Sequence, residues 1–113
     1  MKVSFKLRCL KCLLSSERQG DEVYIRYNGR KIWPEDRIWY RVFEGEEVVM
    51  DVTQPVANMG DKVELELWEC DLVSHSKLGN FIFSVDSSRG TYTVDLVSKN
   101  SKAKYSLVWD AIP

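Results

Sequence analysis

Hydrophobic and polar residues alternate along most of this chain, and an alternating period is typical of β-strands that bury one face. The pattern predicts about eight short strands, roughly a dozen residues apart, and such a series favours an antiparallel β-sandwich. The predicted strands are Lys2–Cys9, Glu22–Tyr27, Arg37–Phe43, Glu47–Val52, Val63–Glu69, Phe81–Val85, Thr91–Val97 and Ala103–Trp109. The loops of a sandwich gather at its two ends, where function usually lies.

Turn-forming residues divide these strands. Asn28-Gly29 is a compact hairpin signal that leads into Arg30–Trp33, and Pro34 ends that run. The segment Gln54–Asp61, which contains a proline and a glycine, is predicted to be a loop. The inward rows of the strands predict a buried core formed by Val3, Phe5, Leu7, Val23, Ile25, Val63, Leu65, Leu67, Val94, Leu96, Tyr105 and Leu107.

Length, charge and cysteine count narrow the class of protein. At 113 residues the chain is expected to form one domain, residues 1–113, with a self-supporting core. The net charge of −1 creates no global attraction to nucleic acid, so a nucleic-acid partner is not expected. There is no apolar run of membrane-spanning length and no signal-peptide pattern, and the three cysteines do not suit a paired disulfide framework. These features predict a cytoplasmic protein, while export by a cognate secretion machine stays open.

The alternating strand Val63–Glu69 ends in two acidic residues at positions i and i+2, Glu69 and Asp71. Residues i and i+2 of a strand point to the same side, so these carboxylates can converge where the strand gives way to a loop. Several converging oxygens are what a hard cation such as calcium requires. The alternative is that both are solvated acids at the end of a strand.

The order of motifs resembles that of a C2 domain. Asp21-Glu22-Val23-Tyr24-Ile25 is similar to the Asp-Pro-Tyr-Val element that opens the second strand of that family. Val63–Asp71 resembles its central strand with the Trp-Asp-x-Asp ending, and Ser76-Lys77-Leu78-Gly79 resembles the Asp-Asp-x-Ile-Gly element that follows. The similarity spans most of the chain through short, degenerate motifs. It implies an all-β, eight-stranded antiparallel C2-like sandwich whose loops at one end commonly bind calcium and phospholipid.

Carried onto this chain, the resemblance implies that Asp21, Glu69 and Asp71 are the calcium ligands. The family usually supplies two further acids, one in the first loop and one just before the Leu-Gly step, and Lys77 stands where the second should be. We therefore expect Lys77 to neutralise the three carboxylates from within the chain. Calcium binding is expected to be weak, and no cofactor is expected to be required.

The cysteines and the single histidine offer two further chemistries. The spacing Cys9-x-x-Cys12 is that of redox and zinc sites, but a redox pair normally opens a helix, and a closed zinc site would need Cys70 and His75 as well. Cys9 falls in the inward row of the first strand, so small, buried, reduced cysteines are expected. The serines on either side of His75 form no catalytic triad by adjacency alone. An enzyme is therefore not expected.

Two sets of surface residues are candidates for partner binding. If the first strand and the next hairpin lie together, a basic face forms from Lys2, Lys6, Arg8, Arg26, Arg30 and Lys31. Such a face could meet phosphoinositide headgroups, acidic protein or nucleic acid, and its alternative is a solvated face balanced by Glu64 and Glu66. Tryptophans anchor many interfaces, and the candidates are Trp33, Trp39 and Trp68, with cross-strand packing as their alternative.

The sequence as a whole favours a small, stand-alone, non-catalytic module that binds a protein partner and serves as an adaptor, a targeting element or an accessory of a larger assembly. Two alternatives stay open. One is a calcium-dependent domain that binds phospholipid membranes, and the other is a bacterial toxin-neutralising or secretion-associated accessory protein. The sequence indicates no oligomeric state.

Overall fold

The computed structural model describes residues 3–71, 74–86, 88–98 and 101–113, and its regular elements within them are β-strands. They are β1 (Val3–Leu14), β2 (Asp21–Tyr27), β3 (Arg30–Trp33), β4 (Tyr40–Val42), β5 (Glu47–Val56), β6 (Lys62–Cys70), β7 (His75–Ser84), β8 (Gly90–Asp95) and β9 (Lys104–Ile112). The predicted all-β antiparallel sandwich is confirmed, with nine strands in place of eight. Over these ranges, no helix is long and apolar enough to cross a membrane.

Two antiparallel sheets face each other. Sheet A has the order β5-β1-β9-β8, and sheet B has the order β3-β2-β6-β7, with β4 also paired to β2. The additional strand is β3, the segment that follows the Asn28-Gly29 hairpin signal. It lies against the same partner as β4, and a loop that starts at Pro34 separates the two. Proline has no N–H to donate to a ladder, which favours an interruption there. The predicted strand Arg37–Phe43 is accordingly reduced to Tyr40–Val42.

Other strand boundaries also differ from the prediction. The strand β5 runs through Pro55, which was predicted to lie in a loop, because an edge strand tolerates a residue without an N–H. The strand β7 begins at His75 instead of Phe81, since its first residues pair with the end of β6. In the opposite direction, β8 ends at Asp95 and not at Val97.

A β-bulge between Leu7 and Cys9 shifts the alternation of β1 by one residue. After the bulge, Leu10 and Cys12 take the inward positions and are buried, whereas Cys9 is half-buried. The strand then continues to Leu14. The prediction that Cys9 belongs to the inward row is therefore wrong, and the cysteine pair lies inside the strand instead of at its end.

The inward side chains of both sheets form one hydrophobic core. The predicted core residues are buried, with two exceptions, Val94 and Leu96, which are half-buried. Val94 lies on β8, the edge strand of sheet A, and Leu96 follows directly after it, so each is covered from fewer sides.

At one flank of the sandwich the two sheets are joined. Asn80 of β7 and Val97, just after β8, exchange backbone hydrogen bonds of 3.1 and 2.9 Å. Gly79 permits this approach, because a Cβ atom there would lie 2.4 Å from the carbonyl oxygen of Val97. In the described ranges no comparable ladder joins β5 to β3 or β4 at the opposite flank.

Candidate functional site

Asp21 is the first residue of β2, and its side chain is fully buried at the end of the sandwich that carries the β1–β2 loop. Its carboxylate accepts hydrogen bonds from the backbone N–H of Ser16 (2.8 Å), the backbone N–H of Glu17 (2.9 Å) and the hydroxyl of Tyr105 (2.6 Å). Tyr105 belongs to β9 in the opposite sheet, so one carboxylate ties the loop to both sheets. The buried charge is compensated by these donors.

The β1–β2 loop is shaped to present its N–H groups to Asp21. The hydroxyl of Ser15 donates to the carbonyl oxygen of Glu17 at 2.7 Å, and the N–H of Gly20 donates to the same oxygen at 3.2 Å. Gly20 has a φ of 89°, a conformation that favours glycine. The loop is thereby closed on itself, and two of its N–H groups are directed at Asp21.

The donor hydroxyl on Tyr105 is itself buried, and burial is the main cause that raises its pKa. The phenol therefore keeps its proton and remains a donor to Asp21. The thiol of Cys12 is hydrogen-bonded to Tyr105, and burial raises the pKa of this thiol as well. A chain of buried polar groups thus runs from Cys12 on β1 through Tyr105 on β9 to Asp21 on β2.

Glu69 lies near the end of β6 and is also buried, but other carboxyl groups surround it. Burial is the largest cause that raises the pKa of Glu69 from 4.5 to about 8, followed by a hydrogen bond to Glu17 and by the charges of Asp21, Glu17 and Asp71. The raised pKa favours the protonated form of Glu69 at neutral pH, and its carboxyl group is hydrogen-bonded to that of Glu17.

Asp71 is exposed in the turn between β6 and β7, where its backbone N–H donates to the carbonyl oxygen of Ser74 at 2.8 Å. Lys77 does not neutralise the acids of this end. Its ammonium group lies 3.1 Å from the carboxylate of Glu66 on the outer face of sheet B. A register shift between β6 and β7 pairs Lys77 with Trp68, which turns the lysine outward. The predicted internal compensation by Lys77 is therefore wrong.

The described part of the chain contains no group of three or more His, Cys, Asp or Glu side chains placed to hold a metal ion. The surroundings of the three implied ligands agree with this. Asp21 accepts three hydrogen bonds, Glu69 is protonated at neutral pH, and of the three only Asp71 is exposed. A calcium ion would have to displace donors of the protein from Asp21 and a proton from Glu69.

The six basic residues do not form one face. Lys6 and Arg8 lie on β1 in sheet A, and each is within ion-pair distance of an acid on a neighbouring strand, at 3.3 and 2.8 Å. Three others lie in sheet B, on β2 and β3: Arg26, Arg30 and Lys31. Lys2 lies outside the described residues. The outer faces of two packed sheets point away from each other, so these cations act as two separate sets.

The three candidate tryptophans differ in exposure. Trp33 is buried in the core, so its predicted role as a partner anchor is wrong. Trp39 and Trp68 are half-buried. The guanidinium group of Arg41 lies 5.7 Å from the ring centroid of Trp39, and that of Arg26 lies 5.5 Å from the ring centroid of Trp68. Both rings thus combine an aromatic surface with a cation.

One cluster was not predicted from the sequence. On the outer face of sheet B, the hydroxyl of Tyr24 lies 2.7 Å from Nδ1 of His75, and the sulfur of Cys70 lies 3.8 Å from Nε2 of the same ring. The register of β6 and β7 places Cys70 opposite His75. The signal that could have revealed this pair is the Cys-x4-His spacing across a predicted turn. All three cysteines are free thiols.

No protein-family model matches the sequence, and no curated protein matches it either. Among solved structures, the chain is similar to one described as "Structure of a C2 domain", with 15% sequence identity and a TM-score of 0.55. The likeness covers 100% of this chain and 99% of the other. At this identity it shows the fold, so the protein is a C2-like β-sandwich, as the sequence motifs implied.

Proposed function

We propose that this chain is a single-domain, non-catalytic interaction module that binds a protein partner and works as an adaptor, a targeting element or an accessory of a larger assembly. The observation that supports this most directly is the hydrogen bonding of Asp21. The resemblance to C2 domains implies a calcium ligand at this position, yet the carboxylate already accepts three hydrogen bonds from the chain itself. These hydrogen bonds support a role for this end of the sandwich in which no ion is required.

The outer face of sheet B supports a protein as the partner. The ring of Trp68 is stacked on Tyr24, with centroids 6.3 Å apart, and carries the guanidinium group of Arg26. Tryptophan, tyrosine and arginine are the residue types most enriched at the energetic centres of protein interfaces. The nearby ion pair of Glu66 and Lys77 leaves this face without a strong excess of positive charge. Such a face suits a protein better than an anionic membrane, which attracts clusters of unpaired cations.

Calcium titration calorimetry on the purified chain tests this proposal against calcium-dependent phospholipid binding. We expect a Kd no tighter than about 10⁻⁴ M, which is the range of weak extracellular modules. Co-sedimentation with phosphatidylserine vesicles should be the same in calcium and in a chelator. The variant Asp71→Asn is the matched control. A micromolar Kd that Asp71→Asn abolishes, together with calcium-driven co-sedimentation, would replace the proposal by the membrane-binding function.

Site-specific photocrosslinking tests the partner and its surface. A photoreactive amino acid replaces Trp68 on the outer face of sheet B in one chain, and exposed Thr93 of β8 in sheet A in another. In source cells, we expect a discrete protein adduct from position 68 and none from position 93. Equal adducts from both positions, or none from either, would count against a partner on this face.

The proposal includes a cytoplasmic location, for which the three free thiols are suited.

A further inference from the structure

The hairpin that joins β6 to β7 brings a nucleophile and a base together. Cys70 is the last residue of β6, His75 is the first residue of β7, and the two are paired in the ladder. The sulfur of Cys70 lies 3.8 Å from Nε2 of His75. The imidazole is exposed and the thiol is half-buried, so a small reagent can approach the sulfur from solvent.

A third residue fixes the imidazole from the neighbouring strand. The hydroxyl of Tyr24 on β2 lies 2.7 Å from Nδ1 of His75. Tyr24 is itself buried and stacked on Trp68, so its hydroxyl has a defined position. In the tautomer whose Nδ1–H donates to the tyrosine oxygen, Nε2 is a free base that faces the thiol. A nucleophile, a base and a group that orients the base form the arrangement that activates thiols in proteins.

The position of the base matters because the reactive species is the thiolate and not the thiol. The sulfur therefore needs a proton acceptor within reach at the moment of reaction, and Nε2 of His75 lies 3.8 Å away. His75 is the only histidine in the chain, so Cys70 alone among the three cysteines has this acceptor.

We propose that Cys70 is a site of oxidation by small hydroperoxides, that His75 accepts the thiol proton, and that Tyr24 positions His75. The thiol passes its proton to Nε2, and the sulfur attacks one oxygen of the peroxide, so that an S–O bond forms while the O–O bond breaks. The leaving oxygen takes the proton from His75, which returns to its neutral state. Hydrogen peroxide thus yields a sulfenic acid and water; the sulfur loses two electrons and the peroxide gains them.

Cys9 provides a matched control within the same molecule. It is half-buried like Cys70, and burial followed by the charge of Glu47 raises its pKa. What it lacks is a histidine. Cys12 is buried and hydrogen-bonded to Tyr105, so it should react most slowly of the three. A difference between Cys70 and Cys9 that disappears in the His75→Ala variant therefore measures the contribution of His75.

The experiment treats the full chain with hydrogen peroxide at pH 7 in the presence of dimedone, which traps sulfenic acids, and of a calcium chelator. Mass spectrometry follows the labelled fraction of each cysteine-containing peptide with time. General-base catalysis commonly contributes factors of a hundred or more, so we expect Cys70 to be labelled at least about tenfold faster than Cys9. In urea the three rates should converge. Equal rates for Cys70 and Cys9 in the folded chain would overturn the proposal.

Two variants separate chemistry from structure. His75→Ala should slow the labelling of Cys70 at least about tenfold and leave Cys9 unchanged, because the base is lost. Added imidazole should restore the rate of Cys70 alone. An unchanged rate, or a slowed rate that imidazole does not restore, contradicts the role of His75 as proton acceptor. Tyr24→Phe keeps the stacked ring and should slow Cys70 by a smaller factor; an unchanged rate would remove Tyr24 from the proposal.

Discussion

Two buried acids stand side by side at one end of this sandwich, on adjacent strands, and they are in opposite electrostatic situations. Asp21 accepts three hydrogen bonds from the β1–β2 loop and from Tyr105. Glu69 faces other carboxyl groups, and burial and these neighbours raise its pKa to about 8. The same degree of burial therefore stabilises a charge at one position and a proton at the other.

The comparison teaches that the number of hydrogen-bond donors, and not exposure, decides whether a buried carboxyl group is ionised or protonated. A carboxylate that receives several hydrogen bonds keeps its charge without a cation. A carboxyl group that is buried among other carboxyl groups instead lowers the cost of burial by holding a proton, as the raised pKa of Glu69 indicates. The proton on Glu69 also reduces the repulsion that its neighbour Asp21 would experience.

Removing Asp21 is expected to have the largest effect. Asp21→Ala leaves two backbone N–H groups and the Tyr105 hydroxyl buried without an acceptor, which should lower the free energy of unfolding by about 3–5 kcal/mol. Urea denaturation at pH 7 measures it. Asp21→Asn keeps one acceptor oxygen and should cost less. A loss below about 1 kcal/mol for the alanine variant would show that the three hydrogen bonds to Asp21 do not stabilise its charge more than the surroundings of Glu69 do.

Tyr105→Phe removes one of the three donors and keeps the ring in the core. Because Asp21 would lose a buried hydrogen bond of 2.6 Å, the free energy of unfolding should fall by about 1–3 kcal/mol. The matched control is Tyr92→Phe, whose hydroxyl lies on an exposed residue and makes only a long bond of 3.4 Å. The same denaturation experiment should detect almost no change there. Equal losses in both variants would contradict the assigned role of Tyr105.

Glu69→Gln, in contrast, should raise the free energy of unfolding, and only at higher pH. Since the pKa of Glu69 is raised from 4.5 to about 8, the folded chain holds a proton that the unfolded chain releases. The contribution of the Glu69 proton to the free energy of unfolding is therefore fully present below about pH 4.5 and is lost as the pH rises through about 8. Glutamine carries no charge, so the variant should gain about 1 kcal/mol at pH 9 and little at pH 5.

Unfolding curves at pH 5, 7 and 9 measure this difference. Exposed Glu64 on the same strand provides the control, since Glu64→Gln should leave the pH dependence unchanged. If wild type and Glu69→Gln lose stability equally between pH 5 and 9, then Glu69 is not the acid that holds the proton.

The smallest effect is expected at Lys77. Its ion pair with Glu66 lies on the surface, so Lys77→Ala should change the free energy of unfolding by no more than about 0.5 kcal/mol. Because the ammonium group faces away from Glu69, the decline of stability toward pH 8 should be preserved in this variant. A steeper decline would mean that Lys77 compensates the acidic end after all.

The sequence allowed the fold class, most strands and most of the core to be predicted, because alternation is a local property that follows from one buried face per strand. It did not reveal the bulge between Leu7 and Cys9, since one extra residue leaves no mark in composition. Val94 was expected to be buried because the alternation identifies an inward row but not an edge strand.

The candidate site was harder to predict than the fold. The resemblance implied that Asp21 is a calcium ligand, whereas its observed partners are two loop N–H groups and a hydroxyl that lies 84 residues further along the chain. An acid at the start of a strand has the same sequence signature whether it binds an ion or accepts such bonds. The pairing of Cys70 with His75 depends on the exact register of a hairpin, which hydrophobic alternation does not fix.

Gly79 has a consequence for how this molecule can be enlarged or can misassemble. By letting the chain at Val97 cross close to β7, it seals one flank of the sandwich, and β5 remains as the long open edge of sheet A. Strand exchange, fusion of an extra hairpin or growth into a fibre would therefore proceed from the β5 side. A side chain at position 79 would force the segment at Val97 away from β7. The sandwich would then have open strand edges at both flanks instead of one.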